Sequence, residues 1–142
     1  MATLCIAIGN PLRGDDGAAH RVLELLGPGH GVTARSVVQL APELAAEIAG
    51  FDTVLFIDAD VACRKPEIEA VACIPTRATP ITHTFAPSEV VSLAERLYGF
   101  RGSAMICRLP AHVFDSAEAL SPVAEASARS AADLIRKHLL PH

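Results

Sequence analysis

Three short stretches of this chain carry carboxylates or an imidazole that could take part in chemistry. Asp15 and Asp16 close a glycine-rich loop, Asp58 and Asp60 follow an apolar run, and His83 lies between two threonines. Carboxylates and an imidazole brought together from separate loops would form a plausible open site for a divalent transition metal. Spacing alone does not establish that site, because no two of these residues have a short ligand spacing such as H-E-x-x-H. Structural acids and a surface histidine are the alternative interpretation.

The acidic loop, GNPLRGDDG at residues 9–17, lies between an apolar run at 4–8 and an amphipathic run at 18–26. This order predicts a strand, a loop and a helix. Asp15 suits a helix N-cap, and Asp16 suits a first helical turn, where the helix dipole stabilises a carboxylate. Neither G-x-G-x-x-G nor G-K-[ST] is present, and a phosphate would face two carboxylates. We therefore expect a cationic ligand here and no nucleotide.

Three further polar residues are weaker candidates. His20 follows Asp16 at an i,i+4 spacing but lies off the apolar helix face, so we expect a solvated surface histidine. Asp60 and His112 are also expected to be solvated.

The cysteines are predicted to be reduced and catalytically inert. They show no C-x-x-C pairing, and Cys5, Cys73 and Cys107 lie in apolar, strand-like surroundings where buried thiols are usual. Cys63 alone is expected to be exposed. No Ser-His-Asp arrangement or activated cysteine is evident, which favours water as the nucleophile of any hydrolysis.

Length and hydrophobicity predict one α/β domain over residues 1–142. The 142 residues are 51% hydrophobic with few aromatics, as expected of an interior that covers both faces of a parallel sheet. Strand-like and helix-like segments alternate, which predicts a three-layer, mostly parallel twisted sheet of about five strands with helices on both faces. Such a sheet would bring the acids after strands one and three, and His83 after strand four, to the same edge.

Charge and hydropathy exclude other classes of partner. The formal charge of −4 leaves no basic patch, so we expect no nucleic acid partner. No apolar run approaches the ~18 residues of a membrane span, and the N-terminus lacks the features of a signal peptide. We expect a soluble cytoplasmic protein without membrane association.

Several motifs in order closely resemble the hydrogenase maturation proteases, the endopeptidases that trim the C-terminal tail of the nickel-iron hydrogenase large subunit. They are GNPLRGDDG, QLAPELA at 39–45, VLFIDA at 54–59, ITHTFAPSEVVSLA at 81–94 and LSP at 120–122. The resemblance covers nearly the whole chain. It implies a twisted α/β sheet flanked by helices and an endopeptidase that removes the C-terminal extension of a nickel-loaded precursor.

The resemblance also implies a site. The family's metal-contacting residues fall on Asp16, Asp58 and His83, which would be both the catalytic and the metal-binding set. The nickel is expected to be carried by the precursor, with a resident catalytic metal as the alternative that the sequence leaves open. Zinc or cadmium is expected to substitute in vitro. Some family members have Glu in place of Asp16. Many have a second glycine where this chain has Ala18-Ala19-His20, which could alter helix packing or let His20 approach the site.

Two functions from other classes compete with this interpretation. A phosphoacceptor receiver domain also has paired acids after strand one and an aspartate ending strand three. Its acids follow the strand directly, however, and its fifth strand ends with lysine before proline, whereas this chain has Arg108-Leu109-Pro110. The other alternative is a protein of this fold that binds a metal or partner without cleaving it. The sequence leaves open which hydrogenase is processed and the oligomeric state.

Overall fold

Strands and helices alternate along the described chain, except that the fourth strand follows the third without a helix between them. A computed structural model describes residues 2–29, 31–71, 85–112 and 119–139, so the predictions for Cys73 and His83 lie outside the described residues. The strands are β1 (Thr3–Ile8), β2 (Val32–Val37), β3 (Thr53–Asp60), β4 (Glu67–Ala70) and β5 (Ser103–Pro110). The helices are α1 (Ala18–Leu26), α2 (Leu44–Ile48), α3 (Pro87–Tyr98) and α4 (Pro122–Leu139), and a single 3₁₀ turn, Gly14–Gly17, precedes α1.

The five strands form one sheet in the order β2-β1-β3-β5-β4. The pairs β1–β2, β1–β3 and β3–β5 are parallel, whereas β4 runs antiparallel to β5 at the sheet edge. The α/β fold with a mostly parallel sheet is confirmed. The fourth strand was expected to end at the same edge as the others. It instead runs in the opposite direction, so its carboxyl end points away from that edge.

Two apolar layers sandwich the sheet, because alternate residues of each strand face opposite sides. On one side α1 and α4 cover Cys5, Leu55 and Cys107. On the other side α2 and α3 cover a layer of larger side chains, including Ile6 and Phe56. Helices lie on both faces, as the hydrophobic composition predicts. That residues 1–142 form one domain stays a prediction.

Strand lengths differ from the sequence-based expectation in one place that matters for the site. The apolar run of β3 was expected to end at Ile57, but pairing with β5 continues to Asp60. Asp58 is therefore a strand residue held by its neighbours on both sides, and not the first residue of a loop. Within the described ranges, every helix is too short or too polar to cross a membrane. The cytoplasmic location stays a prediction.

Candidate metal-binding and catalytic site

Asp16 is held against the end of β1 by backbone contacts. The backbone N–H of Asn10 donates to Asp16 Oδ2 at 2.7 Å, and the N–H of Asp16 donates to the carbonyl of Arg13 at 3.1 Å. The loop can turn back this closely because Gly9 has no side chain and adopts φ +146°, a conformation that other residues rarely take. Asp16 is half-buried. Its carboxylate is thus fixed at the carboxyl end of β1.

Asp58 lies beside the same place on the neighbouring strand. It pairs in register with Ile8, the last residue of β1, and with Arg108 of β5. Since β2 and β3 lie on opposite sides of β1, the chain reverses its direction of winding between β1 and β3. The carboxyl ends of two such strands flank the crevice where open α/β sheets bind ligands. The register of β1 and β3 therefore brings Asp16 and Asp58 to the same edge of the sheet, as the sequence predicts.

The two carboxylates affect one another electrostatically. The pKa of Asp58 is raised from its ordinary value of 3.8 to about 6, first by burial and then by the negative charges of Asp16 and Asp60. A hydrogen bond with the backbone of Ala59 and the positive charge of Arg108 act in the opposite direction. A negative charge on Asp58 is therefore costly in the folded protein. A bound cation would offset that cost.

Arg108 places a positive charge near Asp58 at this edge of the sheet. Sequence reasoning did not propose it as a site residue. Its guanidinium forms an ion pair with Glu69 of β4, and its Nε lies 3.8 Å from Asp60 Oδ2. Asp60 is half-buried and also accepts a hydrogen bond from the backbone N–H of Ala62 at 2.9 Å. The expectation that Asp60 is simply solvated is therefore incomplete. The sequence does show an arginine near the end of the last predicted strand. The structure shows that this arginine is in register with Asp58.

Asp15 has a role that differs from the predicted one. Neither the 3₁₀ turn nor α1 has a side-chain cap, and Asp15 is completely buried. Asp15 Oδ2 accepts from the backbone N–H of His112 and from Ser121 Oγ, while Oδ1 accepts from the Ser121 N–H, each at 2.9 Å. The N-cap prediction is wrong because these long-range donors satisfy the carboxylate. Asp15 ties the end of β5 to the start of α4.

His20 is also more than a solvated surface residue. The residue is half-buried, and its Nε2 lies 2.6 Å from the carbonyl oxygen of Gly9. The prediction of a freely solvated side chain is therefore wrong. Many family members have a second glycine in this segment, where this chain has Ala18-Ala19-His20. Here His20 does contact the loop that carries Asp16. The side chain of His112 is exposed, as expected.

The cysteines are buried where the structure describes them. Burial raises the pKa of Cys5 to about 11 and that of Cys107 to about 12. Cys63 is only 7% exposed, which corrects the expectation of an exposed thiol, and its Sγ donates to the Lys65 carbonyl at 2.8 Å. Burial is the main reason that the pKa of Cys63 is also raised. None of these three thiols has the low pKa of an activated nucleophile.

Asp16 and Asp58 are the described part of the predicted metal-binding set. Residues 2–29, 31–71, 85–112 and 119–139 contain no group of three or more His, Cys, Asp or Glu side chains able to hold a metal ion. The third predicted ligand, His83, lies outside those ranges. Two carboxylates with mutual repulsion are a chemically suitable partial donor set for a divalent cation, since oxygen ligands stabilise such ions and the ion removes the repulsion.

With this geometry in view, comparison with known proteins identifies the class of fold. No protein-family model matches the sequence, and no curated protein matches it. Among solved structures, the fold is that of hydrogenase maturation endopeptidases. This confirms the resemblance noted in the sequence at the level of the fold.

Three of these structures illustrate the likeness. The hydrogenase maturating endopeptidase HybD from E. coli has a TM-score of 0.76 and 19% identity, covering 98% of this chain and 92% of its own. The [NiFe] hydrogenase maturation protease HycI from Thermococcus kodakarensis has a TM-score of 0.74 and 20% identity, covering 97% and 92%. The hydrogenase 2 maturation peptidase from a Thaumarchaeota archaeon has a TM-score of 0.68 and 20% identity, covering 100% of both chains.

The receiver-domain alternative is not favoured. A receiver requires a lysine at the end of the fifth strand, and the residue in register with Asp58 is Arg108, which is paired with Glu69 and Asp60. The residue at this position of β5 therefore does not fit the receiver pattern.

Proposed function

We propose that this chain is an endopeptidase that removes the C-terminal extension from a nickel-loaded hydrogenase large-subunit precursor. The observation that carries this proposal is the placement of Asp16 and Asp58 on adjacent strand ends, in a fold shared with hydrogenase maturation endopeptidases. The precursor is the proposed partner, and the reaction is hydrolysis of one peptide bond. The residues proposed for both metal contact and catalysis are Asp16, Asp58 and His83.

The placement of Asp58 supports the inclusion of His83. Asp58 lies on the same face of β3 as Phe56, which is the face covered by α2 and α3. His83 shortly precedes α3 in the sequence. We therefore propose that the histidine completes the set. With one oxygen from each carboxylate and one ring nitrogen, the set leaves coordination positions for groups of the substrate.

The nickel is proposed to arrive with the precursor, as part of the substrate. Asp16 and Asp58 would recognise it by their negative charge, and recognition would place the scissile bond at the sheet edge. A divalent ion held there would polarise the scissile carbonyl or the attacking water. Because the described thiols are buried with raised pKa values, the proposed nucleophile is water rather than one of these three thiols. Zinc or cadmium is proposed to occupy the same residues in vitro.

A cleavage assay on candidate large-subunit precursors tests this function. We expect Asp16→Ala, Asp58→Ala and His83→Ala each to lose processing while remaining folded. Asp16 and Asp58 are half-buried, and acids in such positions contribute little packing. The matched control is Asp133→Ala, which removes an exposed carboxylate on α4. Normal processing by the Asp58 or Asp16 variant would contradict the proposed site. Absence of processing by the wild-type protein with every candidate precursor would contradict the function itself.

A further inference from the structure

His20 and Asp16 contact the two opposite edges of one peptide group. The group is the one between Gly9 and Asn10: its carbonyl oxygen lies 2.6 Å from His20 Nε2, and its N–H donates to Asp16 Oδ2 at 2.7 Å. None of the peptide bonds in the described residues is cis, and in a trans peptide the C=O and N–H point in opposite directions. The histidine and the aspartate therefore contact the same planar peptide group at its two opposite edges.

The protonation state of the histidine follows from its partner. A carbonyl oxygen can only accept a hydrogen bond, so at 2.6 Å the Nε2 atom of His20 must carry the proton. On the peptide group, the donor at one edge and the acceptor at the other polarise it in the same sense. The contact with His20 thus strengthens the hydrogen bond that the Asn10 N–H donates to Asp16.

This peptide group needs such support because glycine precedes it. Gly9 can adopt backbone angles that are closed to other residues, so rotation of the following peptide group meets little steric resistance. The N–H of Gly9 is held by the carbonyl of Val37 at 3.0 Å, which fixes the preceding peptide group but not this one. A rotated peptide would present its carbonyl oxygen to the Asp16 carboxylate, and the two would repel.

The helix that carries His20 is held against α4. His20 extends from α1 beside a surface cavity of about 470 Å³ whose lining includes Pro11, Arg21, Glu24 and Glu125. Arg21 donates from Nε to Glu125 Oε1 at 3.0 Å, which joins α1 to α4. The helix that carries His20 is thereby anchored to α4. The histidine thus contacts the glycine peptide from a helix that is itself held in place.

We propose that His20 is a positioning residue that orients the Asp16 carboxylate through the Gly9–Asn10 peptide group. The inference rests on the proposed role of Asp16 as a cation-contacting residue. It gives a role to His20, which is not one of the residues proposed for metal contact and catalysis. It also requires only a hydrogen-bond donor at the Nε2 position, and no titration of the ring.

Two variants separate this role from simple packing. His20→Gln retains an N–H donor of similar reach, whereas His20→Leu fills similar space without a donor. His138→Leu, which removes an exposed histidine on α4, is the matched control. We expect the amide proton resonance of Asn10 to move in His20→Leu and to stay near its wild-type position in His20→Gln and His138→Leu. An unchanged Asn10 resonance in His20→Leu would overturn the proposal.

Cation affinity gives an independent measurement on the same proteins. By calorimetric titration with Zn²⁺ alone, we expect His20→Leu to bind about 10-fold more weakly than wild type, the usual effect of losing an outer-shell partner. His20→Gln should restore binding to within about twofold. Wild-type affinity in His20→Leu would overturn the proposal. If wild-type protein binds no Zn²⁺ and processes no precursor, the proposed function fails, and the Asn10 resonance alone decides the role of His20.

A measurement on the unaltered protein covers the case in which His20→Leu does not fold. Nitrogen chemical shifts of the ¹⁵N-labelled imidazole distinguish a proton on Nε2 from a proton on Nδ1 only. We expect Nε2–H, protected from exchange by the Gly9 carbonyl. A ring protonated on Nδ1 only would overturn the proposal, because no donor would then face the peptide group.

Discussion

A Cβ atom added to Gly9 would lie 1.9 Å from the carbonyl oxygen of Asp16. This is far inside any van der Waals contact, so the absence of a side chain at Gly9 is what allows the acidic loop to close over the end of β1. The position of Asp16 therefore depends directly on this glycine.

Gly9→Ala should accordingly destabilise the protein and displace Asp16. The new methyl group meets backbone atoms that cannot move independently, and the positive φ adds strain, so we expect a loss of at least about 3 kcal/mol in the free energy of unfolding. Gly27→Ala is the matched control, since Gly27 also has a positive φ but nothing within 4 Å of an added Cβ. It should cost only about 1–2 kcal/mol. Urea unfolding measures both. Equal losses would show that the contact with Asp16 is unimportant.

Asp58→Asn should stabilise the protein near neutral pH. The folded-state pKa of Asp58, about 6, is above its ordinary 3.8, so ionisation opposes folding as the pH rises between these values and throughout neutral pH. The shift corresponds to at most about 3 kcal/mol, and we expect about 1–2 because the carboxylate is partly solvated. The gain should be present at pH 8 and largely absent at pH 4, where the wild-type carboxyl is protonated in the folded state.

Urea unfolding of Asp58→Asn and wild type at both pH values checks this expectation. Processing should be lost in the same variant, which would show that the acid is retained for function at a cost in stability. A variant that is equally destabilised at pH 4 and pH 8 would contradict the assignment. It would mean that the carboxylate is held by favourable bonds rather than opposed by burial and like charges.

Asp15→Asn should be strongly destabilising although it changes few atoms. The amide can accept hydrogen bonds only with its oxygen, so donors from His112 or Ser121 would face its NH₂ group. We expect a loss of about 2–4 kcal/mol, compared with within about 0.5 kcal/mol for Asp133→Asn in an exposed ion pair. Thermal and urea unfolding of the two variants measure the difference. A loss of only about 1 kcal/mol would instead fit the helix cap that the sequence suggested.

The thiols should be dispensable for processing. Cys5 and Cys107 are fully buried with raised pKa values, and the hydroxyl in Cys63→Ser could still donate to the Lys65 carbonyl. We expect N-ethylmaleimide to label Cys5 and Cys107 only after unfolding, as measured by mass spectrometry, and Cys63→Ser to process precursor at the wild-type rate. Loss of processing in a folded Cys63→Ser protein would favour a cysteine nucleophile.

The sequence was sufficient for those features that depend on local pattern. The apolar runs at 4–8 and 53–57 define β1 and β3, and the parallel arrangement that follows brings Asp16 and Asp58 to one edge. The length of β3 was underestimated because pairing with β5, rather than hydrophobicity, carries it to Asp60.

The roles of Asp15 and His20 could not be predicted in the same way. The donors to Asp15 are about a hundred residues away along the chain, and local pattern favours the commoner role of a helix cap. His20 meets Gly9 only because the loop between them folds back over a glycine. In both cases the partner of the polar group is brought to it by the tertiary fold, which the local sequence pattern does not reveal.

The most direct test of the central claim is the order in which nickel and protein are combined. Asp16, Asp58 and His83 are proposed to contact nickel that the precursor brings. We therefore expect wild-type protein to cleave nickel-loaded precursor and to leave nickel-free precursor intact, even after the protein alone has been incubated with nickel or zinc and desalted. Loading the same precursor with nickel should restore cleavage, and the Asp16→Ala and Asp58→Ala variants should not respond. Rapid cleavage of nickel-free precursor by metal-loaded protein would contradict the account and establish a resident catalytic metal.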